Sequence, residues 1–187
     1  MSTVTTSTIP GYIAGTWDLD PSHSEVGFSV RHLMVSKVRG RFGKFEGEFV
    51  TAEDPLASSV TATIDLGSVI TGDENRDAHL RSPDFFDVGS NPTMTYRSAG
   101  LRSQGNGYVL DGELTLHGVT RSVPLNLELN GFIESPMGTR AGFSASGEIS
   151  RKDFGIEFNM PLEGGGVVVG DKVTISLEVE GVLRSAS

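Results

Sequence analysis

Residues 172–180, KVTISLEVE, alternate without a fault: Val173, Ile175, Leu177 and Val179 take one parity, and Lys172, Thr174, Ser176, Glu178 and Glu180 the other. Successive side chains of an extended chain point to opposite faces, so this run is a strand with one apolar and one wet face. A helix would scatter the same four apolar residues around its circumference. The rhythm recurs upstream. Val26, Phe28 and Val30 alternate with Glu25, Gly27, Ser29 and Arg31, and Val60, Ala62, Ile64 and Leu66 repeat the pattern. Leu125, Leu127 and Leu129 do so against Asn126, Glu128 and Asn130. Tyr108, Leu110, Leu114 and Leu116 line one side of a further run, and Phe143, Ala145 and Ile149 one side of the next.

Glycines punctuate these runs at Gly11, Gly105–Gly107, Gly118, Gly131, Gly138 and Gly164–Gly166. Such spacing predicts hairpins and a meander, hence an all-β, largely antiparallel sheet of about eight strands. Strands left open at the edges invite foreign pairing, and a barrel removes them by closure. A sandwich is the competing architecture, and alternation does not separate the two.

One stretch breaks the rhythm. In SVITGDENRDAHLRSPDFFD (68–87), Gly72, Asp73, Glu74, Asn75, Arg76, Asp77 and His79 crowd together just before Leu80, Phe85 and Phe86. Acids at its start and Arg81 near its end suit a short helix whose charges match the macrodipole. Ser82-Pro83-Asp84 starts a second turn that carries the two phenylalanines. A short helical insertion near residues 73–87 is therefore expected, placed to plug or gate a barrel mouth.

The 187 residues fit one domain of ordinary size, with residues 1–11 as a polar tail and 12–187 as the folded unit. No run approaches the ~18 apolar residues of a membrane-spanning helix. MSTVTTSTIPG lacks a basic start and an apolar block, so it does not read as a signal peptide, and cytoplasmic is the expected location. Cysteine is absent, which excludes disulfides and thiol chemistry. A formal charge of −9 argues against nucleic acid as a partner. The charge is uneven, however. RHLMVSKVRGRFGK (31–44) holds Arg31, Lys37, Arg39, Arg41 and Lys44 and no acid. Lys37, Arg39 and Arg41 share one parity, and two readings stand: a solvated outer face, or an approach surface for an anionic headgroup or membrane.

Catalytic signatures are missing. Gly142-Phe143-Ser144-Ala145-Ser146 lacks the second glycine of a nucleophile elbow, and Asp171 follows Gly165–Gly170 where a phosphate loop needs lysine. His23, His32, His79 and His117 are scattered, none at metal-ligand spacing from another. Arg76, Asp77 and His79 form the best polar constellation, either an ion pair and cap for the helix or a ligand contact. No catalytic residue, metal or cofactor is expected.

Four blocks together resemble one family. WDLDPSHSEVGFSVRHLMVSKVRGRFGKFEGEF (17–49), the 68–87 stretch with NPTMTY (91–96), GELTLHGVTRSVPL (112–125) and ISRKDFGI (149–156) are similar, in order, to the signature blocks of the YceI-like polyisoprenoid-binding proteins. The resemblance implies an extended, antiparallel, lipocalin-like barrel around an elongated apolar cavity. It implies a long isoprenoid lipid as ligand, of the polyprenyl quinone or polyprenyl phosphate type, with binding, storage or transport as the role. Alternation then selects Trp17, Phe28, Phe42, Phe45, Phe85, Phe86, Met94, Tyr96, Phe143, Phe154, Phe158 and Met160 as candidate lining, each with a plain alternative as packed core. His32, Arg76 and His79 are the candidate polar contacts. Transient membrane contact without stable insertion fits such a carrier, and a homodimer is left open. The rival readings are an enzyme acting on a small apolar substrate in the same cavity, through His32 or the Arg76/Asp77/His79 group, and a filled barrel that binds a partner.

Overall fold

A computed structural model describes residues 9–159 and 168–184. Its strands are β1 (Gly15–Leu19), β2 (Glu25–His32), β3 (Ser36–Phe42), β4 (Phe45–Thr51), β5 (Ser59–Asp65), β6 (Val69–Ile70), β7 (Thr93–Gln104), β8 (Gly107–Leu116), β9 (Val119–Ser122), β10 (Leu125–Ser135), β11 (Gly138–Ser150) and β12 (Val169–Leu183). The α-helix α1 (Glu74–Arg81) stands between β6 and β7.

All pairings among the described residues are antiparallel, and eight strands close a ring in the order β1-β4-β5-β7-β8-β10-β11-β12, with β12 returning to β1. The barrel expectation therefore holds and the sandwich falls. Closure is uneven because β12 divides its free edge. Its C-terminal end pairs β1, with Trp17 opposite Leu183 and Leu19 opposite Gly181. Its N-terminal half instead pairs β2, from Val173 opposite Val30 to Glu178 opposite Glu25. β2 leads on to β3 and the short β6, a three-stranded flap outside the ring. The gap left beside the flap is where α1 and the turn after it sit.

Apolar burial explains the closed end. Trp17 is fully buried, stacks on Phe49 at 5.8 Å and meets Phe132 edge-on at 5.7 Å. Its indole N–H donates to Thr51 Oγ1 at 2.8 Å, so the one polar atom of the largest core side chain is satisfied. Gly181 makes this packing fit, since a Cβ there would strike the Phe49 ring.

One predicted turn is corrected. Gly131 lies inside β10, which runs through it, and the register slips between Leu129 and Gly131. Its φ of 142° marks a bulge that bends the strand, a use of glycine with the same composition as a turn. The expected Gly164–Gly166 turn falls outside the described residues.

Candidate functional site

The inner faces of the strands do not meet everywhere. Between them lies a cavity of about 180 Å³, bounded by apolar side chains from most of the ring, the flap and the α1 region. On β12 its wall runs from Val169 through Val173, Ile175 and Leu177 to Val179. Ten residue steps at ~3.3 Å each make this on the order of 30 Å long. The wall thus encloses a long, narrow passage of small volume.

Seven of the candidate lining residues face this passage: Phe28, Phe42, Phe85, Phe86, Met94, Tyr96 and Phe143. Three others are packed elsewhere. Trp17 fills the closed end, Phe45 is buried opposite Ile64, and Phe154 is 1% exposed beneath the 3-10 turn Arg151–Phe154. Phe158 sits off the wall with its ring 5.3 Å from Phe85 and 5.0 Å from His79. Met160 lies outside the described residues. Much of the wall is aliphatic, from Val26, Leu110, Leu114, Leu125 and the β12 residues, and strand parity was the signal that marks them.

Leu80, Phe85 and Phe86 bring the insertion into the wall. Asp73 caps α1 by accepting from the backbone N–H groups of Asn75 and Arg76, as its place before the first helical turn dictates. The backbone then folds back, with Phe86 N–H donating to Leu80 carbonyl at 2.9 Å and Val88 N–H to Arg81 carbonyl at 3.0 Å. That return turns both phenylalanines inward, and Phe86 reaches the Phe42 ring at 5.8 Å.

The polar candidates are engaged with the scaffold. Buried Asp77 accepts from Thr71 N–H at 2.9 Å and from its hydroxyl. Arg76 donates from Nε to Thr71 Oγ1 and from Nη2 to Thr71 carbonyl, both at 2.8 Å. Arg76 and Asp77 thus tie α1 to the residue after β6 through one threonine. His79 Nε2 meets Asp84 at 2.9 Å, bridging the helix and the following turn, with its ring edge-on to Phe85 at 5.0 Å. His32 lies on the strand backbone between Val169 and Ser36, away from the cavity wall.

One residue of the site is invisible to an apolar pattern. Arg151 is 4% exposed and borders the cavity, yet no carboxylate pairs with it among the described residues. Its guanidinium donates to the carbonyls of Gly170 at 2.8 Å, Ile156 at 3.0 Å, Phe158 at 2.8 Å and Val169 at 3.2 Å. Burial lowers its pKa, and Asp171 pulls the other way. Arg151 is a rivet that fixes the start of β12 against residues 156–158. Tyr96 is likewise satisfied, donating to Val123 carbonyl at 2.8 Å, and burial with the nearby Asp111 raises its phenol above the usual value.

The comparisons with known proteins bear on the family and the fold. The YceI-like domain model matches residues 17–181. The chain belongs to the YceI-like family. It is 38% identical over 167 residues to a UPF0312 protein of Pseudomonas paraeruginosa, covering 88% of this chain and 84% of that one. Among solved structures it resembles BcnA of Burkholderia cenocepacia, with a TM-score of 0.76 and 23% identity over 87% of this chain and 99% of that one. It also resembles a domain of Saccharophagus degradans described as polyisoprenoid-binding and implicated in plant cell wall breakdown, with a TM-score of 0.66 and 18% identity over 92% and 100% of the two chains. At those identities the two structures bear on the fold. No helix among the described residues is long and apolar enough to cross a membrane.

Proposed function

We propose that this YceI-like protein is a non-catalytic carrier that holds a long-chain polyisoprenoid, of the polyprenyl quinone or polyprenyl phosphate type, inside its barrel. The observation that carries this reading is the shape of the cavity. A long, narrow passage with an almost wholly apolar lining suits a slim flexible tail, which widens it on entry. The polyisoprenoid binding described for the Saccharophagus degradans domain supports the same ligand class.

Burying a methylene is worth about 0.8 kcal/mol, so each five-carbon unit contributes at most roughly 3–4 kcal/mol. Ordering the tail takes back much of that sum. The head group lies near residues 73–86 in this reading, where exposed His79 is the available polar contact and Arg76 is occupied by Thr71. The binding unit is residues 12–187, working in the cytoplasm and touching membranes transiently.

Native mass spectrometry of the purified protein, with solvent extraction of whatever it carries, tests the proposal. A bound polyisoprenoid, or uptake of added polyprenyl quinone at one per chain, is expected. Protein that carries no lipid and takes up none would overturn it. A doubled mass in the same spectrum would reveal a homodimer. His79→Ala should leave uptake of the tail within a few-fold of the parent.

A further inference from the structure

The turn joining β2 to β3 breaks two rules at once. It closes with Val35 N–H donating to His32 carbonyl at 3.2 Å, and both central residues are left-handed, Leu33 at φ 54° and Met34 at φ 62°. Hairpins fill those positions with asparagine and glycine, because side chains crowd the backbone there. Here the occupants are large and apolar, and they are not buried. Leu33 is 39% exposed, Met34 54% and Val35 82%.

Below this apolar tip the hairpin is basic. Arg31, Lys37, Arg39, Arg41 and Lys44 are all exposed, and none makes an ion pair among the described residues. Arg31 stands directly across from Lys37, a like-charge neighbour pair that destabilises a sheet unless an external counter-charge is present. The outer face of β2 changes sign along its length. Glu25, at the far end, stands opposite Glu178. A chain of formal charge −9 thus presents one basic end and an acidic end behind it.

We infer that the β2–β3 hairpin is a membrane-docking element: Leu33, Met34 and Val35 enter the headgroup region of a bilayer while the five bases beneath them engage anionic lipid phosphates. The chemistry favours a lipid surface over a protein partner. Three apolar residues at a narrow tip fall far short of the roughly 800 Å² per side that a specific protein interface buries. Apolar insertion backed by a basic collar is how peripheral proteins read anionic bilayers. Net repulsion from the acidic end orients the barrel with the hairpin down. That orientation has a use, because the cavity wall reaches Val30 and Val169 at the base of the hairpin. The docking element deepens the carrier reading and rests on it for its purpose, though not for its chemistry.

Sedimentation with vesicles of phosphatidylcholine containing ~30% phosphatidylglycerol, at low and high salt, tests it. The parent protein should bind these vesicles, release them as salt screens the attraction, and bind pure phosphatidylcholine at least ~10-fold more weakly. Lys37→Glu with Arg39→Glu should weaken binding by at least ~10-fold. Leu33→Asn with Met34→Gly should also weaken it severalfold, while thermal stability holds or rises because those residues suit the turn. Lipid extracted from each preparation separates the two claims. A parent that carries lipid but ignores anionic vesicles would overturn the docking element alone. Vesicle binding by protein that holds no lipid would leave docking standing and remove the carrier. Unchanged binding in both double variants would also overturn the docking element.

Discussion

The two ends of β12 make a natural experiment in closure. At its C-terminal end the strand pairs β1, and Trp17 packs on Phe49 and Phe132 with its N–H held by Thr51, leaving only a small space of about 50 Å³ nearby. Along its N-terminal half the same strand, with the same alternation, pairs β2 and borders a cavity. The difference lies in who stands opposite. Closure by a ring strand packs Trp17 against its neighbours, whereas beside the flap Phe28, Phe42, Leu80, Phe85 and Phe86 line a larger space. A ligand passage here is a consequence of pairing more than of any special lining residue.

That contrast can be broken by mutation. Trp17→Ala should cost about 3–5 kcal/mol in urea unfolding, since it opens a void in packed core and removes one of the hydrogen bonds of Thr51. Phe28→Ala, on the cavity wall, should cost clearly less, about 1–2 kcal/mol, because its ring already lacks neighbours on one side. Equal costs would mean that the two ends are packed alike.

Arg151→Met comes next. It leaves the carbonyls of Gly170, Ile156, Phe158 and Val169 without their donor, and a loss of about 2–3 kcal/mol is expected. Hydrogen exchange should rise first at the start of β12. A change spread evenly over the barrel would show that the rivet is not local. Asp73→Ala, which uncaps α1, should cost about 1 kcal/mol and speed exchange within Glu74–Arg81.

The closed end carries a pH signature. Hydrogen bonding from Arg140 first, then from Ser22 and His23, holds the Asp20 carboxyl far below the usual carboxylate range. A depressed folded-state value means that the stabilisation is complete above the ordinary carboxylate pKa of ~3.9 and is lost as pH falls toward the folded value. Asp20→Asn should therefore lower the melting temperature by its full amount at pH 7, and the gap to the parent should narrow below about pH 4. A gap that widens in acid would contradict this assignment.

Much of the barrel was legible because alternation is local. Val173, Ile175, Leu177 and Val179 announce their inner face without reference to any other strand. The division of β12 between β1 and β2 was not legible, since it depends on partners more than a hundred residues away. Residue type could not sort the aromatics either: Trp17, Phe45 and Phe154 look like Phe42, Phe85 and Phe143 until their neighbours are known. The insertion was readable through the charges at its two ends; Arg76 and Asp77 resolved into a tether to Thr71, and His79 into a bridge to Asp84. Arg151 escaped notice because a charged residue satisfied by four carbonyls leaves no mark in an apolar pattern.

The central claim is that the gap beside the flap holds a lipid tail, and plugging it is the most direct measurement. Ala145 faces the passage from β11, and Ala145→Phe would fill much of its width. Native mass spectrometry after incubation with a polyprenyl quinone should show one ligand per chain in the parent. In the variant, occupancy should fall at least ~10-fold while the melting temperature stays level or rises, as expected for filling a void. A plugged barrel that still takes up the quinone as the parent does would contradict the account.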